Sequence, residues 1–328
     1  MFRFHNGYEQ LRSVVVGNVY NERFFSPVKD AKLRDGLTRI LSETIEDIDN
    51  IKTILANLGI VVMQPTVDDN LTIMDYAHNG DINKSTAQSN SLIPRPPLQV
   101  RDSFFVLGDR MYQTRKDGDI IQQFIEKSLG KVSGLDFDVE FDAPVMTILN
   151  DRIFVDVEGD KKLDTIISNK FPDKTVIPVH VGGHTDAVFS IIKPGVLITC
   201  EDPSLYNDTF PGWSVLSLPD QSWKAVQQFR NIKIKNGGRW WTPELQENQH
   251  MVDFVDTWLN EWYGYAKETV FDVNCLVINE GLVLVNNYNK DMDAFFKKHN
   301  VEYIIAPLRH RFFWDGGIHC ITNDLYRG

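Results

Sequence analysis

The chain has 328 residues, of which 42% are apolar and 11% aromatic, and this composition is enough to form one large continuous core. Its formal charge of −11 argues against general affinity for nucleic acid or an anionic membrane, because both are bound through clustered Lys and Arg. No apolar run has the length of a signal peptide or a membrane span, so we expect a soluble cytoplasmic protein. The negative electrostatic potential expected from this net charge suits a small cationic substrate.

The cysteines and short motifs exclude further classes. Cys200, Cys275 and Cys320 are too few and too scattered for a disulfide framework, and no Cys-x-x-Cys pair indicates zinc. No phosphate loop, metal-ligand spacing or flavin motif occurs, so we expect neither a cofactor nor a metal. Any special cysteine is therefore reactive and not structural.

The first third of the chain predicts two strands, a long helix and a long loop. Residues 11–17 form a β-branched run closed by glycine, which predicts a strand, and residues 38–58 place Ile and Leu at helical spacing. Gly59 ends that helix, and the sequence IVVMQP predicts the next strand. Residues 74–97 are rich in Asn, Ser, Asp and Pro and predict a loop that borders a binding site.

The alternation of strand and helix recurs through the remaining sequence, and each repeat of strand and helix is called a round below. The second round is a strand at 103–107 and a helix at 119–129, and the third has strands at 153–157 and 175–179 around a helix at 161–169. The fourth has strands at 187–192 and 195–199 with a helix near 223–231. An amphipathic helix at 243–263 leads to the fifth, which comprises a strand region at 274–285, a helix at 290–299 and a strand at 302–306.

Five rounds of strand and helix place the chain in the α/β class. A doubly wound sheet is compatible with them, but no Gly-x-Gly-x-x-Gly follows any strand, so a nucleotide-binding fold gains no support. A pseudo-fivefold αβ arrangement fits the same rounds. We interpret residues 1–328 as a single domain.

Two segments of the second half carry side chains suited to catalysis. Cys320 follows Gly316 and Gly317, and glycines let the backbone approach a ligand closely. His184 and Asp186 are two residues apart, so on a strand both would face the same side, where the carboxylate positions the imidazole.

Two aspartates complete a set that matches one kind of substrate. Asp102 begins an apolar strand, and Asp142 follows another. A guanidinium is a planar cation whose fan of N–H donors carboxylates match in bidentate fashion, at about 1.5–3 kcal/mol for each bond. One thiol, two aspartates and one His-Asp pair suffice to bind and attack such a group. His319 adjoins Cys320, but we expect it to pack elsewhere because neighbouring strand side chains point to opposite faces.

The sequences RDSF, FDA, HTDAVFSIIKPGVLI and GGIHCIT, in this order, resemble the amidinotransferases and arginine deiminases, enzymes that modify guanidino groups. The resemblance runs nearly end to end and implies a five-bladed αβ propeller, the pentein fold, with the site at its axis. It favours the arginine:glycine amidinotransferase family, because deiminases carry Glu-Gly-Gly-Asp where Asp142 stands.

The resemblance also implies a role for each residue. Cys320 attacks the guanidino carbon and forms an amidino-cysteine intermediate, while Asp102 and Asp142 hold the guanidino nitrogens. His184, supported by Asp186, protonates the departing amine and deprotonates the next nucleophile.

The chain departs from the family pattern at three places. Asp315 replaces a glycine and adds negative charge near the nucleophile, which disfavours a thiolate unless a bound cation offsets it. Residues 196–216 lack the arginine that holds the substrate carboxylate in amidinotransferases, so Arg309 or Arg311 is expected to substitute. Asp272 replaces a serine near the substrate and suits an amine or another cation.

These observations predict an amidinotransferase that moves the amidino group of arginine to a small amine, glycine first among the candidates. Two alternatives stay open: a guanidino hydrolase of the deiminase or dihydrolase type, and a catalytically silent pentein that only binds. The expected partners are small molecules, with neither nucleic acid nor membrane, and a homodimer is left open.

Overall fold

The computed structural model describes residues 2–77, 82–83, 93–115, 119–129, 137, 139–181, 183–200, 206–218, 245, 248–259, 262 and 272–328. The helix predicted near 223–231 lies outside these residues. Within them, no helix is both long and apolar enough to cross a membrane.

Strands and helices alternate along the described chain. The strands are β1 (Leu11–Val16), β2 (Val61–Met63), β3 (Phe104–Leu107), β4 (Arg110–Gln113), β5 (Met146–Leu149), β6 (Arg152–Asp156), β7 (Thr175–Val179), β8 (Phe189–Lys193), β9 (Val196–Thr199), β10 (Ser214–Ser217), β11 (Leu276–Asn279), β12 (Leu282–Val285), β13 (Glu302–Ile305) and β14 (Thr322–Arg327). The α-helices are α1 (Ala31–Asn57), α2 (Asp119–Phe124), α3 (Leu163–Lys170), α4 (Gln249–Trp258), α5 (Lys290–Lys298) and α6 (Arg311–Trp314).

The described strands form five small separate sheets with a shared connectivity. Four sheets have three strands, in the orders β14-β1-β2, β5-β6-β7, β10-β9-β8 and β11-β12-β13, and the fifth is the β3-β4 pair. In each three-stranded sheet one pair is antiparallel and the other parallel. Parallel neighbours need a crossover connection, which α1, α3 and α5 supply in three of these sheets. The predicted α/β class is therefore confirmed.

Most predicted elements are found within a few residues of their expected limits, and the differences have local causes. The first helix begins at Ala31, well before position 38, because the Asp30 side chain accepts hydrogen bonds from the N–H groups of Lys32 and Leu33. The single strand region predicted at 274–285 is the hairpin of β11 and β12. Strands β4, β5, β10 and β14 were not predicted, because short strands are defined by their pairing more than by their own sequence.

The long helix α1 anchors the segment that leads to Cys320. Its buried Thr44 accepts a hydrogen bond of 2.9 Å from the indole N–H of Trp314. Its buried Asp47 accepts two more from Arg309, from the backbone N–H at 2.7 Å and from Nε at 2.8 Å. The segment before the cysteine is thus fixed to a helix whose other buried side chains belong to the largest core cluster.

Replacing Asp47 with alanine is expected to lower the free energy of unfolding by about 1–3 kcal/mol, because it removes the acceptor of two hydrogen bonds in a buried setting. Urea unfolding followed by circular dichroism measures the change. The matched control is Glu46→Ala, since Glu46 also contacts Arg309 but is 68% exposed, and exposed ion pairs contribute at most about 1 kcal/mol. Equal losses in the two variants would contradict this role of Asp47.

Candidate active site

Three short 3₁₀ turns bring the predicted polar residues together. They span Val100–Asp102, Ala143–Val145 and Thr185–Ala187, and each is followed by the first strand of a different sheet. Asp102 ends the first turn, while Asp142 and His184 occupy the N-cap positions of the second and third. The first turn contacts the second and the second contacts the third, so these side chains converge from separate sheets.

The expected strand at His184 and Asp186 is wrong. Residues Thr185–Ala187 form a 3₁₀ turn, so the two-residue alternation of a strand does not place the imidazole and the carboxylate on one face. The imidazole of His184 instead contacts Asp142, with 3.2 Å between Nε2 and Oδ2. The expected partnership of His184 with Asp186 is therefore replaced by a pair with Asp142.

Asp142 joins a histidine and an arginine. Its Oδ2 faces His184, and its Oδ1 forms an ion pair with the guanidinium of Arg115. Burial acts to raise the pKa of Asp142, but the hydrogen bond with His184 and the charge of Arg115 outweigh it and hold that pKa below its ordinary value. The carboxylate is therefore ionised at neutral pH and orients the imidazole.

Asp186 forms a second carboxylate-histidine pair, with His319. The distance between Asp186 Oδ2 and His319 Nδ1 is 2.5 Å. Burial acts to raise the pKa of Asp186, but the hydrogen bond and charge of His319 lower it below its ordinary value. Burial and the nearby Arg101 lower the pKa of His319, and Asp186 opposes that change. The expectation that His319 packs elsewhere assumed strand geometry, whereas His319 lies in the turn before β14.

Cys320 lies in the same turn and is almost fully buried. The side-chain amide of Asn274 donates a hydrogen bond of 3.2 Å to its Sγ. A Cβ atom at Gly316 would lie 3.3 Å from Cys320 Cβ and 3.0 Å from Gln99 Nε2, closer than most Cβ contacts. This crowding explains why the approach to the cysteine contains a glycine.

Asp102 is buried and paired with a second arginine. Its Oδ2 lies 3.3 Å from Nη1 of Arg95, which also donates to Gln99. Burial raises the pKa of Asp102 to about 6, and the charge of Arg95 opposes that rise. Both carboxylates expected to hold a guanidinium, Asp102 and Asp142, thus already contact guanidinium groups of the protein itself.

The remaining predicted residues lie around this cluster in different ways. Asp272 is buried two residues before Asn274 and accepts a hydrogen bond of 2.9 Å from Asn289. Burial raises its pKa, and Asn289 and the charge of Arg311 oppose that rise. Arg309 is engaged with Asp47 and other acidic residues of α1, so its contacts give no support to a role in binding substrate.

Asp315 caps α6 in a left-handed conformation, with φ 51° and ψ 44°. Aspartate is one of the few non-glycine residues that visit this region readily, because its short side chain can hydrogen-bond locally. The glycine expected at this position from the family pattern therefore matches the backbone geometry, and Asp315 satisfies the same geometry with an added charge.

A partly open cavity lies beside the second carboxylate-histidine pair. Its lining includes Asp186 and His319 together with Arg101, Asp324 and Arg327. Neither Cys320 nor His184 belongs to the lining, so this cavity is separate from the thiol. Among the described residues, no three His, Cys, Asp or Glu side chains are grouped so as to hold a metal ion. The absence of metal and cofactor stays a prediction.

Comparisons with known proteins agree with this geometry. No protein-family model matches the chain. Inosamine-phosphate amidinotransferase 1 of Streptomyces griseus is 20% identical over 366 residues, which cover 98% of this chain and 96% of that protein. The mitochondrial glycine amidinotransferase of Danio rerio is 26% identical over 163 residues, but the match covers 49% of this chain and only 29% of that protein.

Solved structures extend the likeness to the fold. The inosamine-phosphate amidinotransferase of S. griseus superposes with a TM-score of 0.62 at 17% identity, covering 100% of this chain and 97% of that one. The predicted resemblance to the amidinotransferases is confirmed. SxtG, an amidinotransferase from Microseira wollei, gives a TM-score of 0.65 at 14% identity and covers 99% and 97% of the two chains. The amidinotransferase-like chain thus shares its fold with these enzymes over nearly its whole length.

Several site residues were missed by reasoning from sequence. Asn274, Arg95 and Arg115 all contact a predicted catalytic or binding group, yet none was expected to act at the site. Arg95 belongs to the loop predicted to border a binding site, and that position was the one available signal. Asn274 begins the strand region predicted at 274–285, two residues after Asp272, but its role there depends on contacts with residues far away in the chain.

The raised pKa of Asp102 predicts a pH-dependent contribution to stability. Its folded value of about 6 exceeds the ordinary 3.8, so the folded chain keeps a proton that the unfolded chain releases between these values. The free energy of unfolding therefore falls as pH rises from about 4 to 6. Asp102→Asn removes this dependence, so its stability relative to the wild type should rise by about 2–3 kcal/mol between pH 4 and pH 7.

Urea unfolding at pH 4, 5.5 and 7 measures this relative change. Asp35→Asn is the control, because Asp35 is 70% exposed and lies outside the site. If the free energies of unfolding of the wild type and Asp102→Asn change in parallel with pH, the pKa of Asp102 is not raised by folding and the prediction is wrong.

Proposed function

We propose that this chain is an amidinotransferase that moves the amidino group of arginine to a small amine, with glycine the first candidate acceptor. The observation that carries the proposal is the convergence of a thiol, two carboxylates and a histidine on one group of contacting turns. The sequence similarity to two kinds of amidinotransferase supports transfer.

The first half of the reaction would proceed at the guanidino carbon. The thiolate of Cys320 attacks this carbon, and a C–S bond forms as the bond from the carbon to the side-chain nitrogen breaks. His184 gives a proton to that nitrogen, so ornithine leaves as an amine and the amidino group stays on sulfur. Asp142 contacts the imidazole at 3.2 Å and would stabilise its protonated form.

The second half of the reaction would reverse the proton transfer. His184, now neutral, removes a proton from the acceptor amine, whose nitrogen attacks the amidino carbon. The C–S bond breaks, and Cys320 returns as a thiolate. With glycine as acceptor the product is guanidinoacetate, and the second nucleophile alone separates this reaction from hydrolysis.

Substrate binding would exchange one guanidinium for another. Asp102 pairs with Arg95 and Asp142 with Arg115, so these carboxylates are held where a planar cation with N–H donors fits. An incoming arginine would take over contacts made by these side chains. Each carboxylate would then keep a cationic partner, which limits the free-energy cost of displacing the protein's own arginines.

Arg311 is our candidate for the substrate carboxylate in place of Arg309. Its Nε is buried and has no hydrogen-bond partner, and burial lowers the pKa of its guanidinium while Asp272 opposes the change. The carbonyl of Arg311 accepts from the N–H of Gly316 at 3.1 Å, which fixes it beside the cysteine loop. We propose that Arg311 binds the α-carboxylate of arginine and that Asp272 binds its α-ammonium.

We further propose that the five sheets are five blades around one axis, as in penteins. The convergence of turns from three sheets on one site supports this arrangement. It would explain why single residues from distant parts of the sequence meet there. The substrates are then small molecules that enter at the end of the axis where the turns lie.

Incubation of the purified protein with arginine, with and without glycine, tests the proposed reaction. We expect mass spectrometry to detect ornithine and guanidinoacetate in equal amounts, and none with Cys320→Ala. A panel of small amines in place of glycine identifies the acceptor if glycine is inactive.

The products also distinguish the hydrolase alternative. Dimethylarginine dimethylaminohydrolase shares the fold, with a TM-score of 0.56 at 9% identity. Urea formed with ornithine, or citrulline formed with ammonia, would show hydrolysis in place of transfer if it appears without any amine and carries oxygen from isotopically labelled water. The absence of any turnover with arginine and the whole amine panel would overturn the proposal.

Arg311→Ala is expected to raise KM for arginine about 10- to 100-fold, because it removes a charge-assisted contact with the carboxylate. Agmatine lacks that carboxylate, so its KM should stay within about twofold of the wild-type value if it is a donor. Arg309→Ala is the matched control and should change neither KM, since Arg309 contacts α1. Equal effects of Arg311→Ala on both donors would contradict the assignment.

A further inference from the structure

Asn274 connects three segments of the site through one side chain. It is fully buried and lies two residues before β11 begins at Leu276. Its Oδ1 accepts hydrogen bonds from the backbone N–H groups of His319 at 2.9 Å and Cys320 at 3.2 Å. Its Nδ2 donates to the carbonyl of Asp186 and to Cys320 Sγ, both at 3.2 Å.

The surroundings fix the orientation of this amide. Two backbone N–H groups can only donate, so the atom facing them is the oxygen. The backbone carbonyl of Asp186 can only accept, so the atom facing it is the nitrogen. The group directed at Cys320 Sγ is therefore an N–H donor, and a flipped amide would lose three of the four contacts.

An N–H donor at sulfur favours the thiolate over the thiol. A hydrogen bond to the charged form of an acid stabilises that form, and a neutral amide provides it without adding a charge. Several carboxylates occupy the surrounding turns and act in the opposite direction. The titratable and charged groups on the elements around the cysteine are Arg95, Arg101, Asp102, Arg115, Asp142, His184, Asp186, Asp272, Arg311, Asp315 and His319.

We propose that Asn274 stabilises the thiolate of Cys320 and holds it in position for attack. The same amide clamps the cysteine turn through two backbone N–H groups and ties it to the turn that follows His184. Asn286 holds Asn274 in turn, because its side chain donates to the carbonyl of Asn274 at 3.1 Å. The donor at sulfur is thus set by buried contacts that exist before any substrate binds.

This inference rests on the proposed role of Cys320, but its test needs no substrate. The rate of Cys320 alkylation by iodoacetamide is measured between pH 6 and pH 10 by peptide mass spectrometry. Asn274→Asp keeps an oxygen that can accept from both backbone N–H groups and places a carboxylate oxygen, not an amide, at the sulfur. Asn274→Ser removes both halves of the clamp with a smaller side chain.

We expect the alkylation midpoint to rise by one pH unit or more in Asn274→Asp, so that the rate at pH 7 falls about tenfold or more. Asn274→Ser should shift the midpoint in the same direction. Asn279→Asp, near the end of β11 and bonded to Gln10, is the matched control and should leave it unchanged. Cys275 serves as an internal reference, because burial raises its pKa to about 12 and keeps it unreactive.

Thermal melting decides whether each variant keeps its fold. An unchanged midpoint in a folded Asn274→Asp variant would overturn the proposal, and so would loss of folding in both variants, since the role would then be structural alone. If the midpoint shifts as expected but the wild type fails to transfer an amidino group, the inference about Asn274 stands and the proposed function does not.

Discussion

The carboxylates gathered around Cys320 impose the constraint on which the rest of the site depends. A carboxylate removed from water is costly unless it is paired with a cation or with hydrogen-bond donors. Asp102 and Asp186 are buried and Asp142 is only partly exposed. The partners of Asp142 and Asp186 come from other segments of the chain, and that of Asp102 lies seven residues before it. Satisfying these charges therefore binds the segments together and organises the site before substrate arrives.

The same principle separates the two arginines near the carboxyl-terminal segment. Arg309 forms ion pairs with acidic residues of α1 and contributes to holding that segment in place. Arg311, two residues later, keeps a buried Nε without a partner, which is an unfavourable state unless a ligand satisfies it. This contrast is the basis for proposing Arg311, and not Arg309, as the group that meets an anion.

The fold by itself does not select the reaction. Amidinotransferases and a hydrolase that acts on a methylated arginine share it with this chain at identities of 9–17%. A covalent intermediate on a cysteine serves both outcomes, because the histidine can deprotonate either an amine or water. What distinguishes them is how well the site holds an acceptor amine and excludes water, a property of the side chains at the site and not of the scaffold.

The sequence alone determined the alternation of strands and helices, because hydrophobic periodicity and glycine or aspartate at element ends act over a few residues. It also identified Cys320, His184, Asp102 and Asp142 as candidates through their motifs. Only the tertiary structure decided how these groups pair. His184 meets Asp142 across 42 positions of sequence and Asp186 meets His319 across 133, and the 3₁₀ turn at Thr185–Ala187 redirects side chains that strand geometry would have aligned. Such contacts depend on packing between sheets, which no local pattern encodes.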